Sequence, residues 1–101
     1  VRLSHNDPVQ IKRVMDAGAH GIVVPNVNTP QEAKDAVAAT RYPSAGRRGV
    51  GLGRAQGYGP GFKDYFEWQA DGPVVIVQIE HQLAMRHLYG SWGRWFYHWS
   101  L

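Results

Sequence analysis

The chain has 101 residues, enough for one small domain. A hydrophobic share of 44% with 19% charged residues excludes a disordered composition, and the lack of cysteine excludes disulfides and thiolate metal sites. The net charge of +3 is spread along the sequence, so it gives only a weak pull toward anionic partners.

Val1 to Ser4 suits a short strand. Asn6-Asp7-Pro8 then starts a helix, with a capping side chain followed by Pro where a missing N–H costs nothing. Ile11, Val14 and Met15 follow at helical spacing, and Gly18 and Gly21 can close the helix. Ile22-Val23-Val24 reads as a buried strand that Pro25 ends. Thr29-Pro30-Gln31-Glu32 is a capping box opening a second helix, whose inner face is Ala33, Ala36, Val37 and Thr40.

From Arg41 to Gly61 the sequence changes to a glycine-rich segment with Arg41, Arg47, Arg48 and Arg54. Phe62 to Gln69 predicts a short aromatic helix, Asp71-Gly72-Pro73 a turn, and Val74 to Ile79 the clearest strand. Apolar strands alternating with helices predict an α/β fold with a parallel sheet covered on both faces. Three strands do not close a barrel, and a whole (β/α)8 barrel takes roughly 250 residues.

In parallel α/β architectures ligands collect at the carboxyl ends of the strands. Arg2, Asn26, Asn28, Gln78 and Glu80 all fall there. A guanidinium suits a carboxylate, and a carboxylate at a strand end suits a hard cation such as Mg2+ or Mn2+. By pattern alone Glu80 either leaves the sheet into water or delivers a charge to a site.

The glycine-rich segment has two readings of its own. Its amides, with Arg47, Arg48 and Arg54, can cradle a phosphate, or it is a structural loop near a site. It matches neither the P-loop nor the GxGxxG spacing. Interspersed acids argue against a nucleic-acid partner. The five histidines lack H-E-x-x-H spacing, and no serine occupies a G-x-S-x-G elbow. No apolar run reaches the ~20 residues of a membrane span, and VRLSHNDP does not resemble a signal peptide, so a cytoplasmic protein with no membrane partner is expected.

Residues 1–81 together resemble the HpcH/HpaI aldolase family, related to the citrate lyase β-subunit. The stretches that carry the resemblance are VRLSHNDPVQIKRVMDAGAHGIVVPNVNTPQEA, ATRYPSAGRRGVG, RAQGYG and VVIVQIEH. The resemblance implies part of a (β/α)8 barrel, hexameric in the full-length family member. It also implies a metal-dependent pyruvate aldolase acting on 4-hydroxy-2-oxo or 2-keto-3-deoxy acids, of the kind used in aromatic compound catabolism. By the same resemblance Arg2 and Gln78 bind substrate and Glu80 is a ligand of Mg2+, Mn2+ or Co2+. The family's catalytic His lies upstream of the Arg strand, and its second carboxylate ligand is the Asp of a G-P-x-D-L motif. Neither is present here, so this chain is expected to be inactive alone. A non-catalytic phosphate-binding or assembly module, using the Gly/Arg loop and aromatic tail, is the alternative.

From Gln82 to Leu101 the resemblance stops, and the tail holds three of the four tryptophans with no acidic residue. A one-base frame shift turns each TGG codon for Trp into a glycine codon. It permits GVDGFIIGP across Trp92 to Ser100, similar to the family's next strand and the start of its second-ligand motif. The tail is therefore expected to be an out-of-frame family sequence, shortened by a small deletion. Sequencing the coding DNA should recover GPxDL downstream after a one-base shift; no such frame would disprove it.

Overall fold

The computed structural model describes residues 1–79 and the backbone of 98–100. Glu80, the expected metal ligand, lies outside the described residues, as does most of the 82–101 tail. Helix α1 (Pro8–Asp16) starts on Asp7, whose Oδ1 accepts from the Val9 N–H at 3.2 Å. It ends in paired bonds from Gly18 N–H to the Met15 carbonyl and from Ala19 N–H to the Val14 carbonyl, the closing pattern of a helix that stops on glycine.

Strand β1 (Gly21–Val24) follows, then α2 (Pro30–Thr40), capped by Thr29, whose hydroxyl accepts from Glu32 N–H at 3.2 Å. A 3-10 turn (Arg54–Gln56) lies inside the glycine-rich segment, where no element is expected from the sequence. Helix α3 (Phe62–Gln69) and strand β2 (Val74–Ile79) match their expected bounds. Strand β3 (His98–Ser100) has no strand pattern in its own residues.

The three strands form one parallel sheet in the order β1-β2-β3. Val24 pairs with Val77, and Val77 with His98. The expected first strand, Val1 to Ser4, shrinks to a single parallel bridge between Arg2 and Val23. Three main-chain bonds form there, Leu3 N–H to the Val23 carbonyl, Val23 N–H to the Val1 carbonyl and the Val1 amino group to the Gly21 carbonyl. Ser4 and His5 instead bond locally to each other and to Gln10, which turns the chain into α1.

One face of the sheet is dry. Ile22, Val24, Val75, Val77 and Ile79 pack with Ile11 and Met15 of α1 and with Ala33, Ala36 and Ala39 of α2. Alanines on α2 keep the helix layer close, and Ile11 and Met15, one helical turn apart, are both fully buried. Strand residues alternate between faces, so Arg2, its partner Val23, Ile76 and Gln78 share the other face. That face is more open, with Val74 50% exposed.

Gly21 starts β1 directly against β2. A Cβ there would lie 2.8 Å from the Val74 carbonyl oxygen, so Gly21→Ala must push the strands apart. We expect it to destabilise the fold by about 1–3 kcal/mol, as overpacked sites do, measured by chemical denaturation. An unchanged midpoint would show that the strand start adapts without cost.

Candidate functional site

At the carboxyl end of the sheet, β1 hands over to Pro25-Asn26-Val27-Asn28. Asn26 takes a left-handed conformation, φ 52°, which lets the chain turn back against β2. The Val27 N–H then donates to the Gln78 carbonyl at 3.0 Å, and the Val27 side chain enters the core. This bond holds the segment after β1 against the end of β2.

The residues singled out from the sequence are distributed as follows. Arg2 is exposed, on the same face as Gln78. At roughly 4.8 Å per strand and 3.3 Å per residue, their Cα atoms lie about 12 Å apart, within the joint reach of the two side chains. Gln78 is 4% exposed, and its Oε1 has no hydrogen-bond donor among the described residues. Asn28 Oδ1 is likewise buried and unpartnered, while its Nδ2 donates to Asn26 Oδ1 at 3.5 Å. Among the described residues no group of three or more His, Asp and Glu stands close enough to hold a metal ion.

The glycine-rich segment serves the fold. Arg48, 2% exposed, donates through Nη2 to Asp16 Oδ1 at 2.6 Å. Its Nη1 donates to Tyr65 Oη at 2.6 Å and to the Thr40 carbonyl at 3.2 Å. The guanidinium also lies 4.7 Å from the Tyr42 ring centre and 5.1 Å from that of Tyr65. Arg48 thus ties the segment to α1, α2 and α3 at once, which takes it out of the phosphate-cradling role; Arg47 and Arg54 are exposed. The glycines let the backbone lie on α1: a Cβ at Gly53 would meet the Asp16 carbonyl oxygen at 2.8 Å.

Asp16 and Tyr65 were not evident as partners of Arg48 in the sequence. Asp16 carries an i, i+4 signal with Lys12, whose Nζ approaches it to 2.6 Å, but nothing local points 32 residues on to Arg48.

The network sets the local protonation states. Burial pushes the Asp16 carboxyl up, but hydrogen bonds from Lys12 and Arg48 and their charges outweigh it and hold it below the ordinary value. Burial opposes the charge on Arg48, and the bonds it donates to Asp16 and Tyr65 overcome that and raise its pKa. Burial raises the Tyr65 phenol, which Arg48 only partly offsets.

Two clefts of about 670 Å³ each lie away from the strand carboxyl ends. One, lined by His20, Arg54, Asp64 and Trp68, opens beside the start of β1; the other lies between α1 and α2 and is lined by no strand residue.

Comparison with known proteins gives consistent matches. The HpcH/HpaI aldolase/citrate lyase family model matches residues 1–89. A protein of Salmonella arizonae named 4-hydroxy-2-oxo-heptane-1,7-dioate aldolase is 52% identical over 90 residues, covering 87% of this chain and 34% of its own length. One of the same name from Salmonella paratyphi B is 50% identical over the same shares. This chain therefore spans about a third of the length of the curated relatives it matches. Among solved structures, an HpcH/HpaI aldolase/citrate lyase family protein from Burkholderia cenocepacia superposes with TM-score 0.76 at 36% identity, over 85% of this chain and 35% of that one. An HpcH/HpaI aldolase from Desulfitobacterium hafniense gives TM-score 0.73 at 29% identity, over 85% and 34%.

The Arg48 network makes a direct prediction. Removing one partner of a buried ion pair costs about 3 kcal/mol. Asp16→Asn should therefore lower the hydrogen-exchange protection of the Arg47 and Arg48 amides, which bond to Ala38 and Arg41 carbonyls, by about 100-fold. The Asp16 pKa is lower in the folded chain, so its contribution is complete above the ordinary carboxylate value. It fades as pH falls from there through the lowered folded value. Wild-type protection should fall over that acid window and the Asn variant should not follow; equal acid sensitivity would contradict the assignment.

Proposed function

The chain belongs to the HpcH/HpaI aldolase/citrate lyase family, and on that premise we propose that it supplies an early portion of a (β/α)8 barrel in a divalent-metal-dependent aldolase. The proposed reaction cleaves a 4-hydroxy-2-oxo or 2-keto-3-deoxy acid to pyruvate and an aldehyde. The relatives' name, 4-hydroxy-2-oxo-heptane-1,7-dioate aldolase, supports that substrate class. In this reading the full-length protein is a cytoplasmic hexamer.

The observation that carries the reading is the shared face of Arg2 and Gln78 beside strand carboxyl ends, with Gln78 Oε1 buried and unpartnered. Arg2 is suited to take the substrate carboxylate through paired N–H donors. Glu80 follows Gln78 by two residues in the sequence. Glu80 is the proposed metal ligand.

The donor set fits a hard cation in kind, since it is oxygen only. The described residues do not complete a site, so the remaining ligands are assigned to parts of the family protein that this chain lacks. A divalent ion, when bound, supplies Lewis-acid stabilisation of the enolate charge. The chain's own contribution is a fixed positive charge at Arg2 and a neutral acceptor at Gln78. Cleavage breaks the C3–C4 bond as a base removes the C4 hydroxyl proton. The electron pair goes to the pyruvate enolate, which is then protonated at C3. The base, like the second carboxylate ligand, is assigned outside this chain.

Titration with Mn2+ and pyruvate, followed by NMR, tests the proposal. Mn2+ should broaden signals near the ends of β1 and β2, Glu80→Gln should remove the broadening, and Arg2→Ala should weaken pyruvate binding about 10-fold. Phosphate binding that requires Arg47, with no response to Mn2+, would instead favour the binding-module reading. Pyruvate release by the purified 101-residue chain, abolished in Glu80→Gln, would overturn the expectation that it is inactive alone.

A further inference from the structure

Of the two larger clefts, the one between α1 and α2 has most of its polar side chains bound into the fold. Lys12 and Arg48 pair with Asp16, the Asn6 amide donates to the Glu32 carbonyl, and no aromatic ring lines the cleft. The cleft beside the start of β1 is built differently. Its volume of about 670 Å³ suits a small molecule. Tyr65 and Trp68 form an aromatic wall, and both rings are held in place. Tyr65 Oη accepts from Arg48, and the Trp68 ring centre lies 5.5 Å from that of Tyr65 and 5.6 Å from that of His20, which meets it edge-on. The indole also seats on Gly72, where any side chain would collide with it. Arg54 and Asp64 line the same cleft. Both are exposed, and among the described residues neither side chain has a hydrogen bond or ion pair, to each other or to anything else. The backbone wall offers an anion nothing: the Ala17, Gly18 and Ala19 N–H groups already donate to the Arg13, Met15 and Val14 carbonyls.

We propose that this cleft binds an aromatic α-amino acid, with its ring against Trp68 and Tyr65, its carboxylate on Arg54 and its ammonium on Asp64. The lining selects the class. Aromatic walls take a flat apolar group. A guanidinium takes a carboxylate through paired N–H donors, and a carboxylate accepts from an ammonium. An aromatic ligand with one charge leaves either Arg54 or Asp64 unused. A phosphorylated ligand fits less well, because the backbone amides that cradle a phosphate elsewhere are spent here. The cleft opens next to His20, before β1, at the opposite end of that strand from Asn26. The proposal therefore does not depend on the aldolase reading.

Three probes share a phenyl ring and differ in charge: L-phenylalanine, 3-phenylpropanoate, which lacks the ammonium, and 2-phenylethylamine, which lacks the carboxylate. Each is titrated into the 101-residue chain and followed by the NMR signals of the Trp68 indole and the Ala19 amide. Phenylalanine should bind about 10-fold tighter than either analogue. Arg54→Gln should bring phenylalanine down to the affinity of 2-phenylethylamine, and Asp64→Asn to that of 3-phenylpropanoate. Neither substitution should change the probe that lacks the matching charge. Both residues are exposed, so both variants should keep the exchange protection of the Gly72 amide, which donates to the Trp68 carbonyl at 2.8 Å. Equal binding of the three probes, or a preference for phenylalanine that survives both substitutions, overturns the proposal. So does the absence of any shift with phenylalanine up to about 10 mM. If 3-phenylpropanoate binds as tightly as phenylalanine and is lost in Arg54→Gln, the cleft takes aromatic carboxylates and the amino-acid assignment is wrong.

Discussion

Parallel pairing of β1 with β2 is the constraint on which the rest of this structure depends. Two neighbouring strands that run the same way cannot be joined by a tight turn. The chain must return from Val24, at one end of the sheet, to Val74, at the other. It does so through α2, the glycine-rich segment and α3, and α2 covers the dry face on the way. The pairing also sets the polar geometry. Register fixes which residues share a face, and it sends Val77 into the core while Gln78 turns the other way.

So long a return needs anchoring, and Arg48 provides it. A glycine-rich backbone has little side-chain surface to bury, so hydrophobic packing alone gives it weak purchase. Arg48 compensates with a charge-assisted bond to Asp16, a bond to Tyr65 and stacking contacts with two tyrosine rings. A buried charge is tolerated only when paired, and both Nη atoms of Arg48 find acceptors while its Nε does not. This gives Arg48 and Asp16 a structural reason to be charged, separate from any chemistry. Arg2 differs: it is exposed at the sheet edge, and among the described residues no hydrogen bond fixes its guanidinium.

Much of the fold was legible because it is encoded locally. Asp7-Pro8 and Thr29-Pro30 mark helix starts by capping chemistry that acts within a turn, and the observed helices begin there. Val74 to Ile79 is apolar enough to declare itself a strand. Features that depend on distant partners were not legible. Val1 to Ser4 has strand composition but finds only a single bridge, because Ser4 and His5 bond toward Gln10 instead. Arg48 looked like one basic residue among several until its partners 17 and 32 residues away were seen. The candidate site was half legible. Arg2 and Gln78 were picked by resemblance and by position at strand ends, yet their common face follows only from register. The spare oxygen of Asn28 could not be anticipated, since asparagine after a strand is an ordinary turn residue.

Among the described residues, the buried glutamines divide into satisfied and unsatisfied side chains. Gln56 and Gln69 are buried glutamines with both ends of the amide bonded, and they lie in the return path, where they fix loop and helix. Gln78 is as buried, but its oxygen has no donor and it lies at the end of the central strand. Folding alone favours an apolar residue at such a position, because a leucine there would leave no acceptor stripped of water. On the proposed reading, a ligand uses the Gln78 oxygen that the fold leaves without a donor. The same logic makes Arg2 and Gln78 complementary, one carrying donors and the other an acceptor across a common face, as recognition of a small molecule with both kinds of oxygen requires.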